Sequence, residues 1–212
     1  MRTILPLSYY KHDDVIALGK DLLGKLLCTR LDNCLTCGII TETESYQGPE
    51  DRASHAYQMR RTKRNEVMYH QGGTAYVYFC YGLHALFNVV TGPKDLPHAI
   101  LIRGIVPVIG LEIMAKRRKK ALLLSKVIVG PGVVSQVLGI GLELNGASLV
   151  SKQIWIEDTH ITIQDDEVEP LPRVGIDYAG EHALLPWRFR VRKSSLETII
   201  QNVQSMHLSR EA

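Results

Sequence analysis

Apolar residues recur along this chain with two periods, one of three to four and one of two, and the switches between them mark out elements of both kinds. Val15, Leu18 and Leu22 follow His12-Asp13-Asp14 at helical spacing, which predicts an opening helix capped by Asp13. Leu26–Leu31 and residues 37–46 read as strands joined through the turn-forming pair Asp32-Asn33, and Gly48-Pro49-Glu50-Asp51 ends the second. Residues 56–73 have no clear apolar period and are predicted as a large loop; long ordered loops often carry function. Residues 74–81 and His84–Thr91 then predict a hairpin folding at Gly82-Leu83, and residues 99–105 a mostly apolar strand near the centre of the sheet.

Pro107 suits the first turn of a helix that turns Val108, Leu111 and Met114 or Ala115 to the core before a basic run ends it. A shorter helix is expected over residues 133–138 and short strands over 154–157, 161–164 and 188–192. Ser194 or Ser195 is the expected cap of a final helix through Val203. No repeat, low-complexity tract or linker divides the chain, and nothing suggests Rossmann-like alternation. The expectation is a single α+β domain over residues 1–212, with a curved, mainly antiparallel sheet flanked by helices and a protruding β-hairpin.

Composition narrows this picture. With 45% apolar residues in 212, the chain can build a sizeable core. No segment approaches the roughly 20 apolar residues that span a bilayer, and no early stretch has the form of an export signal, so a soluble, unsecreted protein without a membrane partner is expected. A net charge of +3 is a mild argument for a polyanionic partner, so the placement of the cations matters more. Arg60, Arg61, Lys63 and Arg64 fall together, as do Lys116, Arg117, Arg118, Lys119 and Lys120. Either run also fits a solvated loop or the basic last turn of a helix. Cys34 and Cys37 have knuckle spacing but no second ligand pair at a zinc distance, so plain thiols beside a turn are expected, with no metal and no cofactor.

Within Thr41-Glu42-Thr43-Glu44-Ser45-Tyr46 the strand period puts Glu42, Glu44 and Tyr46 on one face and the hydroxyl residues on the other. A solvated edge strand is the plainer reading of that pattern. Tyr76, Tyr78 and Cys80 similarly share a face opposite Val77, Phe79 and Tyr81, which ordinary core packing also explains. Tyr81, however, lies beside the turn, where a ring has little core to enter and where a wedge filling a gap in a base stack would sit. Arg103 is the one charge in residues 99–105. If buried, it needs an anion, either Glu44 or a phosphate; an exposed strand position is the alternative. Asn88 in Leu86-Phe87-Asn88-Val89-Val90 reads as a satisfied core amide, and His55 is equally ambiguous.

At these residues the chain resembles the alkyladenine (3-methyladenine, or 3-methylpurine) DNA glycosylase family, from about Leu5 to about Val203. The most specific block runs from Glu42-Thr43-Glu44-Ser45-Tyr46-Gln47-Gly48-Pro49-Glu50-Asp51 through Ala53-Ser54-His55, Gly73-Thr74-Ala75-Tyr76-Val77-Tyr78 and Tyr81-Gly82. Leu101-Ile102-Arg103-Gly104, Gly130-Pro131-Gly132 and Arg173-Val174-Gly175-Ile176-Asp177-Tyr178-Ala179-Gly180 extend it. The resemblance implies that Glu44 is the general base and that Arg103 helps to hold the attacking water. Tyr46, His55 and Tyr78 would line the base pocket. Tyr81 would be the intercalating tyrosine that enters the minor groove, and Asn88 the amide that crowds the amino group of normal guanine. After Gly130-Pro131-Gly132 the family commonly has lysine and leucine; here Val133 and Val134 stand there, which puts one phosphate contact in doubt.

The implied activity is base excision repair by a monofunctional glycosylase. It would flip 3-methyladenine, 7-methylguanine, hypoxanthine or ethenoadenine from duplex DNA and hydrolyse the N-glycosidic bond, leaving an abasic site. Flipping costs about a few kcal/mol, less at a damaged base, and tyrosine faces attract a cationic alkylpurine by about 0.5–2 kcal/mol. A carboxylate that deprotonates water opposite the leaving group matches other glycosidic hydrolyses. A catalytically dead reader of distorted duplex is the alternative; a lyase forming a Schiff base through a lysine such as Lys63 is a third reading, against which the family resemblance speaks. The expected partner is damaged double-stranded DNA, met by a monomer from its minor-groove side. The expected location is the cytoplasm or nucleoid of a bacterium, or the nucleus of a eukaryote.

Overall fold

A computed structural model describes residues 3–119 and 126–208. The first half comprises β1 (Thr3–Ile4), α1 (Val15–Asp21), β2 (Leu26–Leu31), β3 (Cys34–Gln47), β4 (Ala75–Cys80), β5 (His84–Thr91) and β6 (His98–Ile109). The second comprises α2 (Leu111–Arg118), β7 (Ile128–Val129), α3 (Pro131–Leu138), β8 (Ile154–Asp158), β9 (Val168–Leu171), β10 (Arg188–Val191) and α4 (Lys193–Leu208). The strands form one open sheet in the order β1-β8-β2-β3-β6-β5-β4, with β7 beside β6, and β10 between β3 and β9. Every pair is antiparallel, and the fold is α+β.

Asp32 and Asn33 both take positive φ, 50° and 61°, the geometry that lets a tight turn follow the twist of its strands. They join β2 to β3 as the polar pair predicted. Beyond Ile39, β2 no longer pairs with β3, and β10 takes over that side at Glu42–Glu44, while β6 runs along the other side. The acidic segment therefore lies inside the sheet rather than on an edge, because a strand from the far end of the chain is inserted next to it.

The main core gathers Leu22, Leu26, Ile39, Ile100, Val137 and Trp155. Met68, Tyr69, Tyr76, Val90 and Ala99 form a smaller cluster, so the segment 56–73 is pinned to the sheet by its own apolar residues and contains short 3-10 turns at Tyr57–Met59 and Glu66–Tyr69. No helix among the described residues is long and apolar enough to cross a membrane.

Several expected boundaries move. Asp14, not Asp13, caps α1, accepting from the backbone N–H groups of Ile16 and Ala17. Pro107 lies inside β6 opposite Gly38, next to a register shift at Cys37/Gly38 where a missing N–H is tolerated; α2 starts only at Leu111. Residues 161–164 alternate between half-buried and exposed as a strand would, yet form no ladder, and the strand of that region is β9. Helix α4 begins at Lys193, so Ser194 and Ser195 lie within it, and Ser195 bonds to Glu167. Lys120, expected in the second basic run, lies outside the described residues.

Candidate active site

The strand period and two bulges together shape the acidic face. Between β3 and β6 the register shifts at Ile40/Glu42 and again at Glu42/Thr43, leaving Thr41 and Arg103 without opposite partners. Bulges re-aim side chains, and here Arg103 turns onto the acidic face of β3. Its Nε lies 3.2 Å from Glu42 Oε1 and 3.3 Å from Glu44 Oε1. The anion required by the buried guanidinium is thus Glu44 and, beyond what the sequence suggested, Glu42. Arg188 of β10 donates to the same Glu42 oxygen at 3.2 Å.

Glu44 is fully buried. Tyr46 Oη donates to its Oε2 at 2.8 Å, and the Val174 N–H donates to its Oε1 at 2.8 Å. Burial raises the Glu44 pKa above the ordinary 4.5, opposed in turn by Arg103, the Tyr46 and Val174 hydrogen bonds and Arg188. The Tyr46 hydroxyl is pushed well up by burial and by the neighbouring Glu44, so it remains a donor.

The opposite face of β3 fixes the strand against α1. Thr43 donates to Gly19 O at 2.7 Å and Ser45 to Val15 O at 2.8 Å. A Cβ on Gly19 would come within 2.2 Å of Ser45 Oγ, so this close approach requires glycine.

A second support comes from the loop after β9. Arg173 pairs with Asp51, both side chains fully buried, and also donates to the carbonyls of Ser45 and His182. Its guanidinium lies between the rings of Tyr46 and Trp187, 4.8 and 5.1 Å from their centres. This clamp carries the Val174 N–H that meets Glu44. Asp51, Arg173, Glu42 and Arg188 were not among the expected site residues. Asp51 and Arg173 stand in the family-like blocks, but nothing local in the sequence pairs them.

Glu44, Tyr46, His55, Tyr78, Tyr81, Asn88 and Arg103 all line one cavity of about 610 Å³. Tyr76 and Tyr78 stack in its wall at 5.4 Å between ring centres, and the His55 ring meets Tyr78 edge-on at 4.7 Å. His55 Nδ1 lies 2.9 Å from Tyr76 Oη. Desolvation, with Arg64 and Arg60 nearby, pushes the His55 pKa below 6.5, so the ring is neutral at pH 7. Asn88, nearly buried, donates to Tyr76 O at 3.1 Å, as a core amide would, yet also faces the cavity. Tyr81 stands at the tip of the β4–β5 hairpin, 93% exposed and at a φ of 51°. Among the described residues there is no group of three or more His, Cys, Asp or Glu side chains that would hold a metal ion.

Residues 8–195 match the family model described as methylpurine-DNA glycosylase (MPG). A protein of Chlamydia felis named "Putative 3-methyladenine DNA glycosylase" is 50% identical over 198 residues, covering 90% of this chain and 98% of that one. Proteins of the same name from Natranaerobius thermophilus and Bacillus cereus are 43% and 41% identical, over 88% and 87% of this chain and 94% and 93% of theirs.

Proposed function

The chain belongs to the methylpurine-DNA glycosylase family, and on that premise we propose that it hydrolyses the N-glycosidic bond of alkylated or deaminated purines in duplex DNA, with Glu44 as the general base. Its substrates in this reading are 3-methyladenine, 7-methylguanine, hypoxanthine and ethenoadenine. A stacked base is out of reach, so the nucleotide must be extruded, at a cost of about a few kcal/mol that damage lowers. Tyr81, entering from the minor groove, fills the vacated space, and the base is received between Tyr46, His55 and Tyr78. Asn88 stands where the amino group of guanine would crowd it.

The observation that carries this reading is the fully buried Glu44 at an aromatic cavity, held by Tyr46, Val174 and Arg103. Burying a carboxylate is costly even where donors offset part of the desolvation, and such a group at a cleft is a candidate for chemistry rather than for stability. A pKa raised toward neutrality makes it a better base than an exposed glutamate while Arg103 keeps the ionised form accessible. Water deprotonated by Glu44 attacks C1′ from the face opposite the departing purine as the sugar acquires oxocarbenium character. The C–N bond breaks with its electron pair going to the base, which leaves as a neutral purine where alkylation had made it cationic and takes up a proton from solvent where it had not, and an abasic site remains.

Single-turnover release of hypoxanthine and of 3-methyladenine from duplex DNA, native against Glu44→Gln, tests this. Release lost in the variant with binding retained supports it. Equal release by both leaves hydrolysis standing but removes Glu44 from its role, and binding without release by the native protein favours a lesion reader.

A further inference from the structure

Beside the base cavity lies a second of similar size, about 610 Å³, lined by Arg52, Arg60 and Arg64 together with Tyr57, Asn65 and other neutral residues, and by no aspartate or glutamate. His55, Arg64 and Tyr178 line both cavities, so the two adjoin. We propose that this second cavity is a phosphate subsite, which seats a phosphodiester of the strand whose nucleotide is flipped into the first. The inference rests on the glycosylase reading and adds to it the route of the backbone.

The charge at this site is available. Arg61, in the same run, is paired with Glu66 and Asp95, its Nη1 2.9 Å from Asp95, and lies over the Tyr69 ring. Among the described residues, Arg52, Arg60 and Arg64 have no such carboxylate partner. The three arginines of the basic run thus divide into one that is neutralised and two that face the cavity, joined there by Arg52 from the turn after β3. Guanidinium forks suit oxyanions, and phosphate oxygens above all. The same charges repel a cationic alkylpurine, which argues against a second base site.

The rim is also set before any ligand arrives. The buried Asn65 donates to His55 O at 2.9 Å and to Arg60 O at 2.7 Å, and accepts from the Thr62 N–H at 2.7 Å. Tyr69 Oη adds a second donor to Arg60 O at 2.9 Å. Gln58 and Met59 are both held at positive φ, 54° and 59°, with Gln58 N bonded to Pro49 O. Arg64 Nη2 donates to Phe79 O at 3.1 Å, tying the rim to the hairpin that bears Tyr81. The phosphate site and the wedge are therefore one connected surface, and a flipped nucleotide must bring its own phosphates along it.

The test uses lesion-bearing duplexes carrying a single methylphosphonate at each phosphate near the lesion in turn, with native protein and Arg52→Gln/Arg60→Gln, both exposed positions. Neutralising one particular phosphate is expected to weaken native binding about tenfold and the variant's hardly at all, while the salt slope of log K falls by about one to two. Methylphosphonate effects that multiply with those of the variant, or an unchanged slope, overturn the subsite. Base release is followed on the same duplexes: release with multiplying effects rejects the subsite alone, whereas no release and no preference for the lesion rejects the glycosylase reading beneath it.

Discussion

Asp51 and Arg173, separated by 122 residues, form an ion pair in which neither side chain is exposed, and the residue after Arg173 donates its N–H to Glu44. Removing one partner of such a pair leaves the other as an uncompensated buried charge, at a cost of about 3–5 kcal/mol. Asp51→Ala and Arg173→Ala are each expected to lower unfolding stability by that amount in urea titrations. Arg173→Lys keeps the charge but loses the fork that spans both carboxylate oxygens and two carbonyls, and is expected to recover only part of it. A loss below about 1 kcal/mol in both alanine variants, typical of exposed pairs, would refute the clamp.

The pH dependence of base release follows from Glu44. Burial holds its pKa above 4.5, and only the ionised form can accept a proton from water. The single-turnover rate is therefore expected to rise with pH along an acid limb whose midpoint lies above 4.5. The Tyr46 hydrogen bond lowers this pKa, so in Tyr46→Phe the carboxyl holds its proton to higher pH and the limb moves in the alkaline direction. A limb that stays fixed or moves to lower pH contradicts the role of that bond.

Elements whose pattern is local were legible in the sequence: the turn at Asp32-Asn33, the hairpin of β4 and β5, and the short helix α3, which buries Val134, Val137 and Leu138. Pro107 misled because proline serves both helix starts and bulged strands, and only the register against Gly38 decides between them. Residues 161–164 alternate correctly but have no partner strand, which no window of sequence reveals. The same divide runs through the site. Glu44, Tyr46, His55, Tyr78, Tyr81, Asn88 and Arg103 were named from strand period and family-like blocks, and they meet in one cavity. What escaped was long-range pairing: β10 beside the glutamates, Arg188 on Glu42, and Arg173 on Asp51.

Tyr81 is 93% exposed at the tip of the hairpin, so its removal breaks little packing. Tyr81→Ala is expected to leave unfolding stability within about 0.5 kcal/mol of native. If the ring offsets an extrusion cost of about a few kcal/mol, its loss slows release from duplex by roughly ten- to a hundredfold while release from single strands changes little. Equal slowing on both substrates would mean that Tyr81 acts inside the pocket, not as a wedge.

The basic end of α2 is expected to stay off the DNA. Pro131, at the start of α3, lines the base cavity, whereas Val137 O, near the end of that eight-residue helix, accepts from Arg117 Nη1 at 2.8 Å. At 1.5 Å per residue, the six-residue step from Pro131 to Val137 separates them by about 9 Å along α3. Arg117 is also bonded to Thr36 Oγ1 at 3.1 Å, so it satisfies a terminal carbonyl of α3 and a hydroxyl of β3 rather than a phosphate. Arg117→Ala is accordingly expected to lose about 1–3 kcal/mol of stability, and Lys116→Gln/Lys119→Gln to leave the salt slope of duplex binding unchanged. A slope shallower by about one or more in that double variant would mean that the duplex extends over the far end of α3 as well as the cavity mouth.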